Sequence, residues 1–210
     1  ITGDPSLENY QLPKPSISRD RVFSKLGLSS DQKLILAISF RPNWLIPLLE
    51  KEKFIRWAYR AAKQIPGAVI VFKPHPTEKR SRLLEELSQW GINDALVLDN
   101  HQFSLYSLLP AALVVVQTWS MTLFEAVNFN RPVICVNPFG KNYDFFLPVI
   151  KKGGGVEVTS LSQLVSWLKI LINHKNPLTI QQLSRAKQAI GKFILPTDGQ
   201  ATQRILAMLS

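Results

Sequence analysis

Apolar positions along the chain follow two patterns. Short unbroken runs at 33–39, 68–72, 95–98, 113–116 and 132–136 are rich in Val, Ile and Leu and do not alternate with polar residues. A strand buried on both faces of a parallel sheet reads this way, so five such strands are expected, with 156–158 as a short sixth. Longer segments between them carry apolar residues at helical spacing. In 50–65, Phe54, Ile55, Ala58, Ala61, Ala62 and Ile65 share one side, Lys51, Glu52, Arg56, Arg60 and Lys63 take largely the other, and Pro66-Gly67 closes the segment. Similar reasoning predicts helices over 19–26, opened by Ser18 and stopped by Gly27, and over 77–90, 105–109, 121–129, 160–173, 180–193 and 199–209. Strands alternating with helices at roughly thirty-residue spacing imply right-handed βαβ crossovers. The expected architecture is therefore α/β: a doubly wound, mostly parallel, Rossmann-like sheet. Residues 1–17, with three prolines and little periodicity, read as a linker from a missing N-terminal domain, and 18–210 as a single domain.

Composition narrows the class. At 210 residues and 46% hydrophobic content the chain is long enough for one good-sized domain and too apolar for wholesale disorder. No stretch approaches the ~18 consecutive apolar residues of a membrane-spanning helix, and the first residues lack the basic start and apolar core of a signal peptide. The lone Cys135, within Pro-Val-Ile-Cys-Val, excludes an internal disulfide framework, reads as a buried strand residue and fits a reducing, cytoplasmic location. A formal charge of +10 calls for an anionic partner: nucleic acid, the acidic inner face of a membrane, or a phosphorylated metabolite. Lys and Arg are scattered along helices rather than massed in an aromatic-basic motif, so no specific nucleic-acid reader is expected.

Candidate chemistry lies where strands end, because open parallel sheets bind ligands beyond the carboxyl ends of their strands. The 68–72 run breaks into Lys73-Pro74-His75-Pro76, a cation and an imidazole in a loop stiffened by two prolines, suited to a phosphate or a sugar hydroxyl. The plainer alternative is a histidine that caps its own loop. The 113–116 run breaks into Gln-Thr-Trp-Ser-Met-Thr, in which Thr118, Ser120 and Thr122 bring hydroxyls to a helix start where free amides attract a diphosphate. Ordinary N-capping by Ser120 or Thr118 is the plainer reading and is compatible with this one, because a cap turn can also bind phosphate; Trp119 either stacks on a sugar or base or packs. Glu125, one turn on, has the geometry to accept hydrogen bonds from vicinal ribose hydroxyls; as a mere helix-dipole partner it would contribute ~0.5 kcal/mol. Arg41, after the first strand, is a further cation at the same edge. There is no Gly-x-Gly-x-x-Gly, phosphate loop or Gly-x-Ser-x-Gly elbow, and the three histidines lack metal-ligand spacing, so neither metal nor cofactor is expected.

In this order the features resemble the C-terminal, nucleotide-binding half of GT-B glycosyltransferases and the related UDP-N-acetylglucosamine 2-epimerases. Ile1-Thr2-Gly3-Asp4-Pro5 resembles the segment between the two domains of such proteins. Ser39-Phe40-Arg41-Pro42-Asn43 resembles their first phosphate-side loop, and Lys73-Pro74-His75-Pro76 their histidine-proline loop. Phe124-Glu125-Ala126 with Arg131-Pro132-Val133-Ile134 is similar to the pair of motifs around the donor nucleotide, and Asp198-Gly199-Gln200-Ala201 with Arg204-Ile205 resembles the epimerase C-terminal helix. The resemblance implies that Glu125 binds ribose, that Thr118, Ser120, Met121, Thr122 and Arg41 handle diphosphate or sugar, and that Gln102 and Phe103 contact the base. On this reading Lys73 serves the phosphate and His75 is the catalytic candidate. Epimerases carry an Asp-Ser-Gly-Gly run and two adjacent acidic residues where this chain has Gln-Thr-Trp-Ser-Met and Glu125 alone. The motifs look closer to transferases that build capsule, teichoic-acid-like or other surface polymers. The implied activity is transfer of a sugar or polyol phosphate from a nucleotide-activated donor of the UDP or CMP/CDP type. The alternatives are an epimerase and a non-catalytic basic module that binds nucleic acid or anionic membrane.

Overall fold

The computed structural model describes residues 17–43, 46–99, 101–142, 147–193 and 200–209. Six strands, β1 (Lys33–Ile38), β2 (Ala68–Lys73), β3 (Leu96–Val97), β4 (Val114–Gln117), β5 (Val133–Val136) and β6 (Val156–Val158), form one parallel sheet in the order β3-β2-β1-β4-β5-β6. The helices are α1 (Arg19–Leu26), α2 (Leu48–Ala62), α3 (Arg80–Gln89), α4 (Leu105–Leu108), α5 (Thr122–Asn128), α6 (Leu147–Val149), α7 (Leu161–Leu171), α8 (Pro177–Phe193) and α9 (Ala201–Leu209), with a π-helical turn over Ile150–Gly154. This is the expected doubly wound α/β fold. The chain winds outward from β1 through β2 and β3, then returns to the other side of β1 and winds away through β4, β5 and β6. β1 and β4 are thus neighbours whose connections leave in opposite directions, the switch point that opens a crevice at the carboxyl ends of the strands.

Burial on both faces explains why the strand runs do not alternate. Leu34, Leu36, Val115 and Cys135 point into one hydrophobic layer, closed by Val22 and Phe23 of α1, Leu123 and Ala126 of α5, and Ala186 and Ile190 of α8. Ile35, Ala37, Val114, Val116 and Ile134 point into the other, closed by Phe54 and Ala58 of α2, Leu83 and Leu87 of α3, and Leu164 and Leu168 of α7.

Three local expectations change. The helix predicted over 77–90 starts at Arg80, because the Glu78 N–H bonds the His75 carbonyl at 2.8 Å and 75–78 forms a turn instead. The helix predicted from 180 starts at Pro177, where the missing proline N–H costs nothing and the Asn176 side chain accepts from the Leu178 N–H at 2.9 Å. Gly153 and Gly154, read as punctuation, belong to the π-helical turn, with Gly153 at φ 97°. Most of the 1–17 linker, including the Ile1–Pro5 motif, lies outside the described residues, as do Asp198 and Gly199. Among the described residues no helix is long and apolar enough to cross a membrane.

Candidate functional site

The segments that follow β1, β2 and β4, together with the 101–105 loop, enclose a cleft of about 770 Å³ at the switch point. It receives Arg41, Lys73, His75, Phe103, Thr118, Ser120, Met121, Thr122 and Glu125, nine of the ten residues singled out in the sequence. Gln102 is the exception. It is exposed, donates its backbone N–H to the Asp99 carbonyl at 3.1 Å, and stands outside the lining, while its neighbour His101 lies inside it.

β1 and β2 hand over to their loops side by side, the Ser39 N–H donating to the Lys73 carbonyl at 2.9 Å. Lys73 is the last residue of β2 and half-buried. Burial pushes its ammonium below the ordinary lysine range, and the Glu125 carboxylate partly offsets this. In the next loop the Thr77 N–H points at His75 Nδ1 at 3.2 Å, with the Thr77 hydroxyl 2.9 Å away. An Nδ1 that accepts a backbone N–H leaves the proton of the neutral ring on Nε2. The ring thus keeps the local partner foreseen as the plainer alternative, and it also lines the cleft.

The turn after β4 makes several bonds of its own. α5 is only two turns long, and its first amides are occupied. The Thr122 N–H donates to Ser120 Oγ at 3.2 Å, and the Leu123 and Phe124 N–H groups to the carbonyls of Ser120 and Met121 at 3.1 and 2.9 Å. Ser120 thus closes a local turn just ahead of Met121, which opens α5 without a side-chain cap, and the cleft is offered hydroxyls rather than a row of free amides. Trp119 is 8% exposed and belongs to the core cluster, so packing is its main role. Glu125 is half-buried on the following turn, with the Tyr106 hydroxyl donating to its Oε1 at 3.4 Å.

Beneath the cleft lies a group the sequence reading missed. Lys51, assigned there to a polar helix side, is fully buried and pairs with both Glu78 and Glu86. The signal was present, since Lys51 stands three, four and seven residues before Phe54, Ile55 and Ala58 and so lies on their stripe. Cys135 is buried as expected, and burial pushes its thiol up to about 12. Among the described residues no three His, Cys, Asp or Glu side chains gather as a metal site would require.

No protein-family model and no curated protein sequence matches this chain. Solved structures do share its fold. The C-terminal CMP-Kdo binding domain of WaaA from Acinetobacter baumannii superposes with a TM-score of 0.58 at 10% identity, over 82% of this chain and 95% of that one. MnaA from S. aureus, solved with UDP, reaches 0.66 at 17% identity over 98% of this chain and 52% of its own. The wall teichoic acid polymerase TagF reaches 0.60 at 18% identity, over 95% and 46%. The chain thus spans nearly all of an isolated domain and about half of the two longer proteins. At such identities the likeness is one of fold, and the fold is that of the C-terminal domains of GT-B glycosyltransferases and of UDP-N-acetylglucosamine 2-epimerases.

Proposed function

We propose that this chain is the donor-nucleotide half of a glycosyltransferase-like enzyme that transfers a sugar or polyol phosphate from a UDP or CMP/CDP carrier in surface-polysaccharide synthesis. The observation that carries the reading is the convergence of Arg41, Lys73, His75 and Glu125 on one cleft at the switch point. Its volume suits a nucleotide-sized ligand. Neighbours in fold bind ligands of this class: CMP-Kdo for WaaA, UDP for MnaA and CDPG for TagF.

On this reading Lys73 and Arg41 hold the phosphate. Because Lys73 is partly withdrawn from water, its charge acts on a bound anion more strongly than a solvated ammonium would. Glu125, steadied by Tyr106, accepts hydrogen bonds from the ribose hydroxyls. The base lies against the 101–105 loop, met by His101 and the Phe103 ring in place of Gln102. When the donor bond breaks, its electron pair leaves with the nucleotide phosphate, and the Nε2–H of His75 donates to the oxygen on which charge develops. The base that accepts the proton of the attacking hydroxyl is assigned to a further, N-terminal domain. We place the enzyme in the cytoplasm, where the +10 charge favours contact with the inner membrane face.

Calorimetric titration with UDP, CMP, CDP and GDP tests this. One of them should bind saturably, and Glu125→Ala should weaken it by about tenfold, the scale of a hydrogen bond to a charged group. Binding by none of the four overturns the reading in favour of a basic module, whose anion binding would fall steeply with salt and ignore the base. The likeness in fold to UDP-N-acetylglucosamine 2-epimerases supports a second reading, that activity itself, which acceptor-free epimerisation of that sugar nucleotide would establish.

A further inference from the structure

Glu78 sits one layer beneath the cleft and is 7% exposed. Its Oε2 accepts from the Ser39 hydroxyl at 3.0 Å and from the His75 N–H at 3.3 Å, and its Oε1 pairs with the Lys51 ammonium. Ser39 follows β1 and His75 follows β2, and both line the cleft. Of residues 74–76 only His75 has a backbone N–H, because Pro74 and Pro76 have none. That single donor goes to Glu78. The next one, from Thr77, goes to the imidazole.

The carboxylate is therefore the backbone anchor of the loop, and the ring takes its orientation from the turn so formed. Lys51 also pairs with Glu86, whose Oε1 accepts from Arg82 Nε at 3.3 Å, so two cations balance two carboxylates. Such buried clusters contribute little net stability compared with apolar side chains of similar volume. Both oxygens of the carboxylate are nevertheless used as acceptors, one for the two strand-end donors and the other for Lys51. A neutral amide would offer a donor where the site needs an acceptor.

We infer that Glu78 is the positioning residue of the site. It fixes the His75 loop against the end of β1, so that the ring stays in its Nε2–H form toward the ligand, and the pairing with Lys51 holds the Glu78 carboxylate in place. This rests on the reading of the cleft as a nucleotide site.

Two measurements on Glu78→Gln test it. The first is the imidazole nitrogen spectrum of His75, recorded on the neutral ring. The second is calorimetric affinity for whichever of UDP, CMP, CDP and GDP the unaltered chain binds best. The unaltered chain should show the Nε2–H tautomer, and the variant a mixture of tautomers with affinity lowered about tenfold, as expected when a contacting group is misplaced by a fraction of an ångström. A purely structural role would lower the melting temperature and move neither readout. A folded variant with unchanged tautomer and affinity overturns the inference while leaving the donor-site reading standing. A tautomer change in a chain that binds no nucleotide keeps the positioning role and ends the donor-site reading. Should Glu78→Gln not fold, Lys51→Met with Glu78→Gln and Glu86→Gln removes the buried charges together, and the same two readouts decide.

Discussion

Lys73 shows how one residue acquires its chemistry from its place. The same side chain on a helix surface would be a solvated cation. At the end of β2 it is half-buried, and burial lowers its proton affinity. The sign follows from linkage. Folded Lys73 holds its proton less tightly than the unfolded chain does, so it opposes folding at neutral pH, and this cost is relieved as pH rises toward the ordinary lysine value of 10.5. A phosphate beside Lys73 restores the charged form. Nucleotide binding measured on the alkaline side, just below that value, should therefore take up protons. Calorimetry in two buffers of different ionisation enthalpy will detect this, and Lys73→Met should abolish it. Lys51 makes a related point. Its place on the apolar stripe was legible from spacing, but its partners, 27 and 35 residues away, were not.

Among the elements, the π-helical turn over Ile150–Gly154 leaves no room for a side chain at Gly154. A Cβ on Gly154 would meet Val149 Cγ1 at 2.6 Å and the Val149 carbonyl oxygen at 2.9 Å. Gly154→Ala should lower stability by about 1–3 kcal/mol, the usual cost of overpacking. Gly191, inside α8, meets nothing within 4 Å, so Gly191→Ala should raise stability by about 0.5–1 kcal/mol through helix propensity. Urea unfolding midpoints of the two variants should move in opposite directions. The contrast was not visible in the sequence, where Gly154 stands in a triplet that reads as a loop and Gly191 in a segment that reads as a helix. What distinguishes them is the space around each, which neighbouring elements set.

At the scale of the molecule, the switch point divides the sheet into β3-β2-β1 and β4-β5-β6, joined by the pairing of β1 with β4. The cleft is lined from both sides of that seam, with Lys73 and His75 on one and Thr118 to Glu125 on the other. A nucleotide held there bridges the two halves. It should stabilise the domain by ~2.7 kcal/mol at a hundred times its dissociation constant. Amide hydrogen exchange should slow together in the loops after β2 and β4. Protection confined to one side would show that the ligand does not span the seam.

Apart from α6 and the π-helical turn, the order of strands and helices, the parallel class of the sheet and the edge where the candidate residues gather were determined by the sequence alone. Unbroken apolar runs such as 113–116 suit only strands covered on both faces, and polar residues gather where those runs stop. The resemblance of the strand-end motifs pointed to the family of folds as well. Only the tertiary structure decided which strand-end residues meet. It put Gln102 outside the cleft and His101 inside. It occupied the first amides of α5 with bonds inside their own turn, and it placed Glu78 under His75. These outcomes depend on distances between segments far apart in the chain and on competition for the same hydrogen-bond donors. Local periodicity does not encode either.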